Sequence, residues 1–372
     1  MKFCPLNALE ACLFLRYLPG IGPVKEQKLL SHFKTPSAIF EASESDLLKI
    51  EGLGSIHTKA IQNWRKYKPH VQQQIDLIAK HQIKTLFWGA ENYPETLAFC
   101  PDAPAVLFYR GNLDVARKRK IISVVGTRSH TRYGEEMCKM IIQNLAPYDP
   151  IICSGFAYGI DIVAHKAALA NGLNTIACLA HGFNTLYPKE HKKYQNQIEK
   201  QGAFFSDCLF GETIEKGSFP RRNRIIAGLG HLTLVIESAS KGGSMNTADL
   251  ANQYGREIFA LPGKVSDAKS RGCNLLIKQQ KATLFFDIEQ LLESLQLLKE
   301  SKPKKPTQRK LFISLTEEEQ KVFAAFQDGE RKHLDLLAAE LKWEIGKVAS
   351  LLMILEMKGL ILAHQGKYFE VI

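Results

Sequence analysis

Four short segments hold the residues whose types and spacing could do chemistry: Gly126-Thr127-Arg128-Ser129, Ser154-Gly155-Phe156-Ala157-Tyr158-Gly159-Ile160-Asp161, Phe219-Pro220-Arg221-Arg222-Asn223-Arg224 and Ser240-Lys241-Gly242-Gly243-Ser244-Met245-Asn246-Thr247. The chemistry they suit is the binding of phosphate. Glycine lets backbone N–H groups approach an anion closely, and arginine offers a planar fork of donors to its oxygens. Singly, each segment is ordinary strand-to-helix punctuation. Together they offer several N–H donors plus Arg128, Arg222 and Arg224, which suits a chain of phosphates better than one nucleotide. Gly155 and Gly159 do not fit G-x-G-x-x-G, and no G-x-x-x-x-G-K-[ST] occurs, so dinucleotide and P-loop sites are poorly matched. Asp161 and His165 stand four apart on one helix face and could be taken for an acid–base pair. An Asp at a helix start is favoured by the positive end of the dipole, however, so both read as structural and no catalytic residue is assigned. The eight cysteines (4, 12, 100, 138, 153, 178, 208 and 273) form no CxxC pair and have no histidine at zinc spacing. They read as reduced structural thiols, with no metal and no cofactor.

These segments can act together only if a scaffold brings them to one edge. From about residue 75 to 290, short apolar runs alternate with helical stretches. The expected strands are Ile121 to Val125, Ile151 to Ser154, Thr175 to Leu179, Ala203 to Ser206, Leu232 to Ile236, Ile258 to Leu261 and Thr283 to Phe286. Near-continuous apolar strands with helices between them predict a parallel sheet covered on both faces, a doubly wound, Rossmann-like α/β fold. Such sheets bind ligands outside the carboxyl ends of their strands, where helix N-termini offer free N–H groups.

Two further regions flank this core. Leu18-Pro19-Gly20-Ile21-Gly22-Pro23-Val24 recurs as Ile50-Glu51-Gly52-Leu53-Gly54-Ser55-Ile56, each copy followed by a helical pattern. Both copies resemble helix-hairpin-helix motifs, whose turns typically grip a DNA phosphate. A small helical bundle whose glycines only make turns is the other reading, because Lys25 and Lys28 of the first copy become His57 and Ala60 in the second. At the other end, Thr316-Glu317-Glu318-Glu319 predicts a capping box, followed by two more helices and a hairpin around Gly366. Three helices and a hairpin make a winged helix. Its third helix, opening Trp343-Glu344-Ile345-Gly346-Lys347, has few bases for reading duplex DNA, which favours a protein-interaction or capping role. The chain thus divides into a helical domain (1–70), the α/β core (71–296), a basic linker (297–312) and a winged-helix domain (313–372).

Composition bounds the rest. With 372 residues, 45% hydrophobic and 23% charged, the chain can bury several cores, and wholesale disorder is excluded. The net charge of +11 raises the odds of a polyanionic partner. Residues 110 to 132 hold seven bases against one acid, and 299 to 310 hold six against one, so these two segments carry the whole excess. Elsewhere an anion site must come from local geometry. The start Met1-Lys2-Phe3-Cys4-Pro5 opens no signal-peptide pattern and no run of 18 apolar residues occurs, so the expected location is the cytoplasm, without a membrane partner.

The segments VVGTR (124 to 128), SGFAYGIDIVAHKAAL (154 to 169), YPKEH (187 to 191), FPRRNRIIAGL (219 to 229), GGSMNTADLA (242 to 251) and GREIFALPG (255 to 263) resemble, in order and nearly in spacing, those of the bacterial DprA/Smf family of DNA-processing proteins. The resemblance covers residues 75 to 290 strongly. It implies a non-enzymatic protein that binds single-stranded DNA, protects incoming DNA in natural transformation and loads the recombinase RecA, acting as a homodimer, with single-strand-binding protein as a further candidate partner. It assigns DNA-phosphate contact to Gly126, Arg128, Ser154, Gly155, Lys189, Arg222, Asn223 and Arg224, with Gly243, Ser244 and Thr247 completing the site. Tyr158 stands where the family usually has arginine, so a phosphate contact is lost or replaced by base stacking on the ring. Asp207 replaces a usual glutamate, and Gln280-Lys281-Ala282 a common Gly-Ala turn.

Two readings compete. The core also resembles phosphoribohydrolase folds, which carry PGGxGTxxE; the stretch Lys241 to Asp249 lacks the Pro and the Glu in register. A duplex-binding regulator would work through the winged helix, where Lys342 and Lys347 are offset by Glu344 and Glu356.

Overall fold

β-Branched, apolar runs become strands, and the amphipathic stretches between them become helices. The computed structural model describes residues 6–33, 35–113, 119–215, 217–298, 315–326, 331–364 and 367–371. They fall into two compact units, Met1–Lys299 and Glu300–Ile372. The opening Met1–Pro5 with Cys4, the bases Arg117 and Lys118, the hairpin tip at Gly366 and all of the basic linker except residues 297 and 298 lie outside the described residues.

The larger unit is built on nine strands: β1 (Lys84–Phe87), β2 (Val106–Gly111), β3 (Ile121–Gly126), β4 (Ile151–Ser154), β5 (Thr175–Cys178), β6 (Gly202–Ser206), β7 (Leu232–Glu237), β8 (Glu257–Ala260) and β9 (Thr283–Leu284). Their order is β1-β2-β6-β5-β4-β3-β7-β8-β9. From β6 to β9 every pairing is parallel. Each of these strands starts and ends within two residues of its expected segment. β4 to β7 are buried at every position, as strands covered on both faces must be. Helices Arg132–Leu145 and Ile160–Ala170 cover one face, packing Ile141, Ile142 and Val163 on Ile122, Val124 and Leu234. Helices Ser218–Leu229 and Gly243–Gln253 cover the other, with Ile225, Ile226 and Ala248 against Val125, Cys153 and Val235.

Two features differ from the expectation. β1 and β2 were not foreseen, and they run antiparallel, β1 to β2 and β2 to β6. β1 is four residues with a single buried one, too short to show a period. The segment Phe219–Arg224, expected as a loop before a helix at Ile225, is already helical, because the helix begins at Ser218. Pro220 lies in its first turn, where a missing N–H costs nothing.

The helical start packs on the same unit, with Leu13, Leu15, Leu29 and Ile61 in one cluster with Val106, Phe108 and Phe204 of the sheet. In the repeated turns Gly20 and Gly52 take positive φ. The first copy's lysines serve the chain itself. Lys25 Nζ lies 2.8 Å from the Gly20 carbonyl and 2.7 Å from His57 Nε2, and Lys28 Nζ meets the Glu51 carboxylate at 2.7 Å. The seven described cysteines are buried and free. Burial pushes the Cys12 and Cys208 thiols up to about 12, which removes their nucleophilicity at neutral pH.

The smaller unit comprises helices Glu317–Ala324, Leu334–Leu341 and Ile345–Met357, and a sheet of β10 (Lys332–His333), β12 (Tyr368–Val371) and β11 (Ile361–His364) in that order. Thr316 and Glu319 form the expected capping box. Val322, Leu337, Val348, Leu352 and Leu355 make its core. On the third helix, Lys347 is held by Glu318 at 2.7 Å and lies over the Trp343 ring, while Ile345, Met353, Ile354 and Met357 are exposed. That helix shows solvent an apolar surface in place of a basic one. Among the described residues, no helix is long and apolar enough to cross a membrane.

Candidate functional site

The chain lays down β3 to β6 on one side of β3 and then crosses to place β7 on the other. Loops leaving β3 and β7 therefore diverge to opposite faces and leave a crevice at their carboxyl ends. A cavity of about 250 Å³ lies there, walled by residues 125–128, Ala157, Asp161, 219–220, 222–223, Ile226, 238–239, 241–244 and 246–247.

Each wall is fixed by the chain around it. After β3, Thr127 N donates to the Glu237 carbonyl at 2.7 Å, and the Glu237 carboxylate accepts from Thr131 N and Oγ1, both at 2.8 Å. After β4, Gly159 has φ +82°, and a Cβ there would collide with the Thr127 carbonyl. This close approach lets Ile160 N bond to that carbonyl at 3.1 Å. After β7, the chain enters helix Gly243–Gln253 through an extended Gly242 with no side-chain cap. The first N–H groups of this 11-residue helix, and the positive end of its dipole, face the cavity. Ser244 Oγ is steadied by Ser238 Oγ at 2.8 Å, and Asn223 Nδ2 holds the Gly243 carbonyl at 3.2 Å.

The cations differ in freedom. Arg128 is exposed, with its guanidinium 4.9 Å from the Phe219 ring centroid. Lys241 is exposed on the opposite wall. Arg222 is 4% exposed; its Nη1 donates to the Gly155 and Cys178 carbonyls, leaving Nη2 without a partner among the described residues. Burial pushes this guanidinium below its ordinary value, opposed by the Asp161 carboxylate. Burial likewise raises Asp161, against the attraction of Arg222. Both groups crowd Gly155, where a Cβ would lie 2.5 Å from Asp161 Oδ2 and 2.6 Å from Arg222 Nη2. The cavity thus carries backbone donors on one wall and guanidinium or ammonium groups on the others, an arrangement whose chemistry suits an anion. Among the described residues, no cluster of His, Cys, Asp or Glu could hold a metal ion.

Of the residues expected to touch phosphate, Gly126, Arg128, Arg222, Asn223, Gly243, Ser244 and Thr247 line this one cavity. Ser154 and Gly155 lie behind it: the Ser154 hydroxyl is spent on the Val124 carbonyl at 2.6 Å, and Gly155 serves Arg222. Arg224 is elsewhere. The helix turns its side chain away from Arg222, to the Asp102 carbonyl and to Asp207 at 2.5 Å, where it is 5% exposed. Lys189 stands exposed off the cavity, on the turn Lys189–Tyr194. Tyr158 adjoins Ala157 of the cavity wall; its hydroxyl donates to Glu190 at 2.6 Å and its ring meets His191 edge-on at 5.1 Å. His165 is buried against Thr175 Oγ1 at 2.7 Å, and Phe156 is core. Residues that sequence reasoning passed over are Phe219, which supports Arg128 and packs on Tyr187 at 6.0 Å, and Lys241. Phe219 begins the basic segment and Lys241 the glycine pair, so both were within view as composition but not as contacts.

The model of the family described as DNA recombination-mediator protein A matches residues 84–296. Models of the DprA winged helix domain and of a SAM-like helix-hairpin-helix tandem match residues 302–367 and 13–61. The chain is 32% identical to Protein Smf of Synechocystis sp. over 94% of its length and 96% of that protein's. It is 37% identical to Protein Smf of Escherichia coli over 75% of each. Among solved structures, DNA processing protein A of Streptococcus pneumoniae is similar with a TM-score of 0.67 and 32% identity, covering 79% of this chain and 98% of that one. That of Helicobacter pylori, described by its single-stranded DNA binding mode, is similar with a TM-score of 0.52 and 29% identity, covering 58% and 96%.

Proposed function

Because the chain belongs to the DprA/Smf family of DNA recombination-mediator proteins, we propose that it binds single-stranded DNA without catalysis, shields incoming strands in the cytoplasm and hands them to RecA. The observation that carries this reading is the cavity at the β3/β7 switch, where an uncapped helix N-terminus, Arg128, Lys241 and the free Nη2 of Arg222 converge on one anion-sized space. Phosphates would enter it one after another, held by charge and backbone donors, with few groups placed to read base edges. Arg128, Arg222, Asn223, Gly126, Gly243, Ser244 and Thr247 make the contacts in this reading, Ser154 and Gly155 shape them from behind, and Arg224 supports the fold. The working body is the α/β core (71–296) with the helical 1–70 built onto it, in a homodimer that sets two cavities along one strand, with single-strand-binding protein as a further partner. Titrating salt against affinity for single-stranded and duplex oligonucleotides tests the reading. The expected outcome is preference for the single strand and a negative slope of roughly 0.7 per phosphate neutralised; equal affinity for both forms overturns it.

A further inference from the structure

The turn Lys189–Tyr194 carries Lys189, Lys192 and Lys193 on its exposed side and Tyr194 half-buried between them and helix Ile160–Ala170. Two ammonium groups address the same ring: Lys193 Nζ lies 5.2 Å and Lys166 Nζ 6.0 Å from the Tyr194 centroid. Among the described residues none of Lys166, Lys189, Lys192 and Lys193 makes an ion pair. The acid of the turn, Glu190, is taken by the Tyr158 hydroxyl, which holds its carboxyl below the usual range. Like charges gathered on one aromatic ring repel each other, and an anion lying between them removes that cost while the ring offers a face for stacking.

This strip is continuous with the cavity. Ala157 is cavity wall, Tyr158 follows it, the Tyr158 ring meets His191 at 5.1 Å, and His191 meets Tyr194 at 6.4 Å. His191 is fixed beneath by its Nδ1 contact to the Phe156 carbonyl at 3.0 Å. We propose that a single strand bound in the cavity continues over Tyr158 onto a second subsite, in which Lys192, Lys193 and Lys166 neutralise its next phosphates and Tyr194 supports a base. The subsite rests on the reading of the cavity as a single-stranded DNA site, and it takes a nucleic acid backbone as its ligand. It also gives Lys189 a place, at the junction between cavity and strip, and it makes the length of strand engaged a property of the turn.

The test uses the full chain and two oligothymidylates, one of about 4 nucleotides and one of about 16. The variant is Lys192→Gln/Lys193→Gln, whose side chains are exposed and make no ion pair among the described residues, the Lys193 ammonium lying over the Tyr194 ring. Expected is about a tenfold loss of affinity for the long strand near physiological salt, with a salt slope shallower by roughly 1.4, and an unchanged affinity for the short one. An unchanged slope with the long strand, or an equal loss with both lengths, overturns the subsite. Arg128→Ala run in parallel separates the two ideas: if it leaves both lengths unaffected, the cavity reading has failed, whatever the lysines do.

Discussion

Arg224 Nη2 and Asp207 Oδ2 lie 2.5 Å apart, with the two side chains 6% and 1% exposed. Burial pushes the Asp207 carboxyl up, and Arg224, Arg16 and Arg221 reverse this, so that it titrates below its ordinary range. Its backbone carbonyl also accepts from Arg16 Nη2 at 3.1 Å, and Arg16 lies 3.7 Å from the buried Glu26. A pair two residues from a cavity arginine thus joins the helical start to the sheet.

Arg224→Ala should therefore act on stability and not on the cavity. Leaving Asp207 buried and unpaired costs about 3–5 kcal/mol. Denaturant unfolding of the variant is expected to show that loss, while the folded fraction keeps its affinity for single strands. Because the folded-state pKa of Asp207 is depressed, the parent's advantage is full above about pH 4 and fades as pH falls through the folded value.

Arg128→Ala should do the opposite. The side chain is exposed and stacks only on Phe219, so unfolding should change by less than about 1 kcal/mol. Affinity for single strands should fall, and the salt slope should shrink by roughly 0.7, in a fluorescence titration at several salt concentrations.

Gly159→Ala strikes backbone. At φ +82° the alanine is strained by about 1–3 kcal/mol, and its methyl meets the Thr127 carbonyl, so the β3 loop must move. Loss of both stability and strand binding is expected, read by unfolding and by titration of the same preparation.

Acid sensitivity should begin well above the carboxylate range. Burial lowers His165 to about 3 and His231 to about 4. Both are neutral in the folded chain at pH 5, whereas the unfolded chain protonates them below about 6.5. Stability is then full above that pH and falls as pH drops, by about 1.4 kcal/mol per unit for His165. Unfolding free energy measured from pH 7 to 5 should decline, and a His165→Gln variant should lose part of the slope.

The parallel strands were legible because burial on both faces writes itself as unbroken apolar runs, such as Leu232 to Ile236. β1 was not, since an edge strand with one buried residue has no period to read. The cavity's glycines and Arg128 were legible from type and place. Arg222 and Arg224 were not distinguishable, because one helical step of about 100° separates a side chain aimed at the Gly155 carbonyl from others, and two steps carry Arg224 to Asp207. The charge excess misled in location. Arg110 pairs with Glu199, Arg119 with Asp149 and Arg132 with Glu136, leaving Arg128 as the base of that segment, among the described residues, which lines the cavity.

Thr131 and Glu237, joined at 2.8 Å, stand 106 residues apart in the chain. A nascent polypeptide that has already made Arg128, Gly159 and Arg222 still has no cavity, because its far wall arrives only with β7 and the helix behind it. The enclosure is in this sense withheld until the chain has passed β7: a chain cut short before it keeps Arg128 and Arg222 but lacks Lys241 and the helix N-terminus that face them.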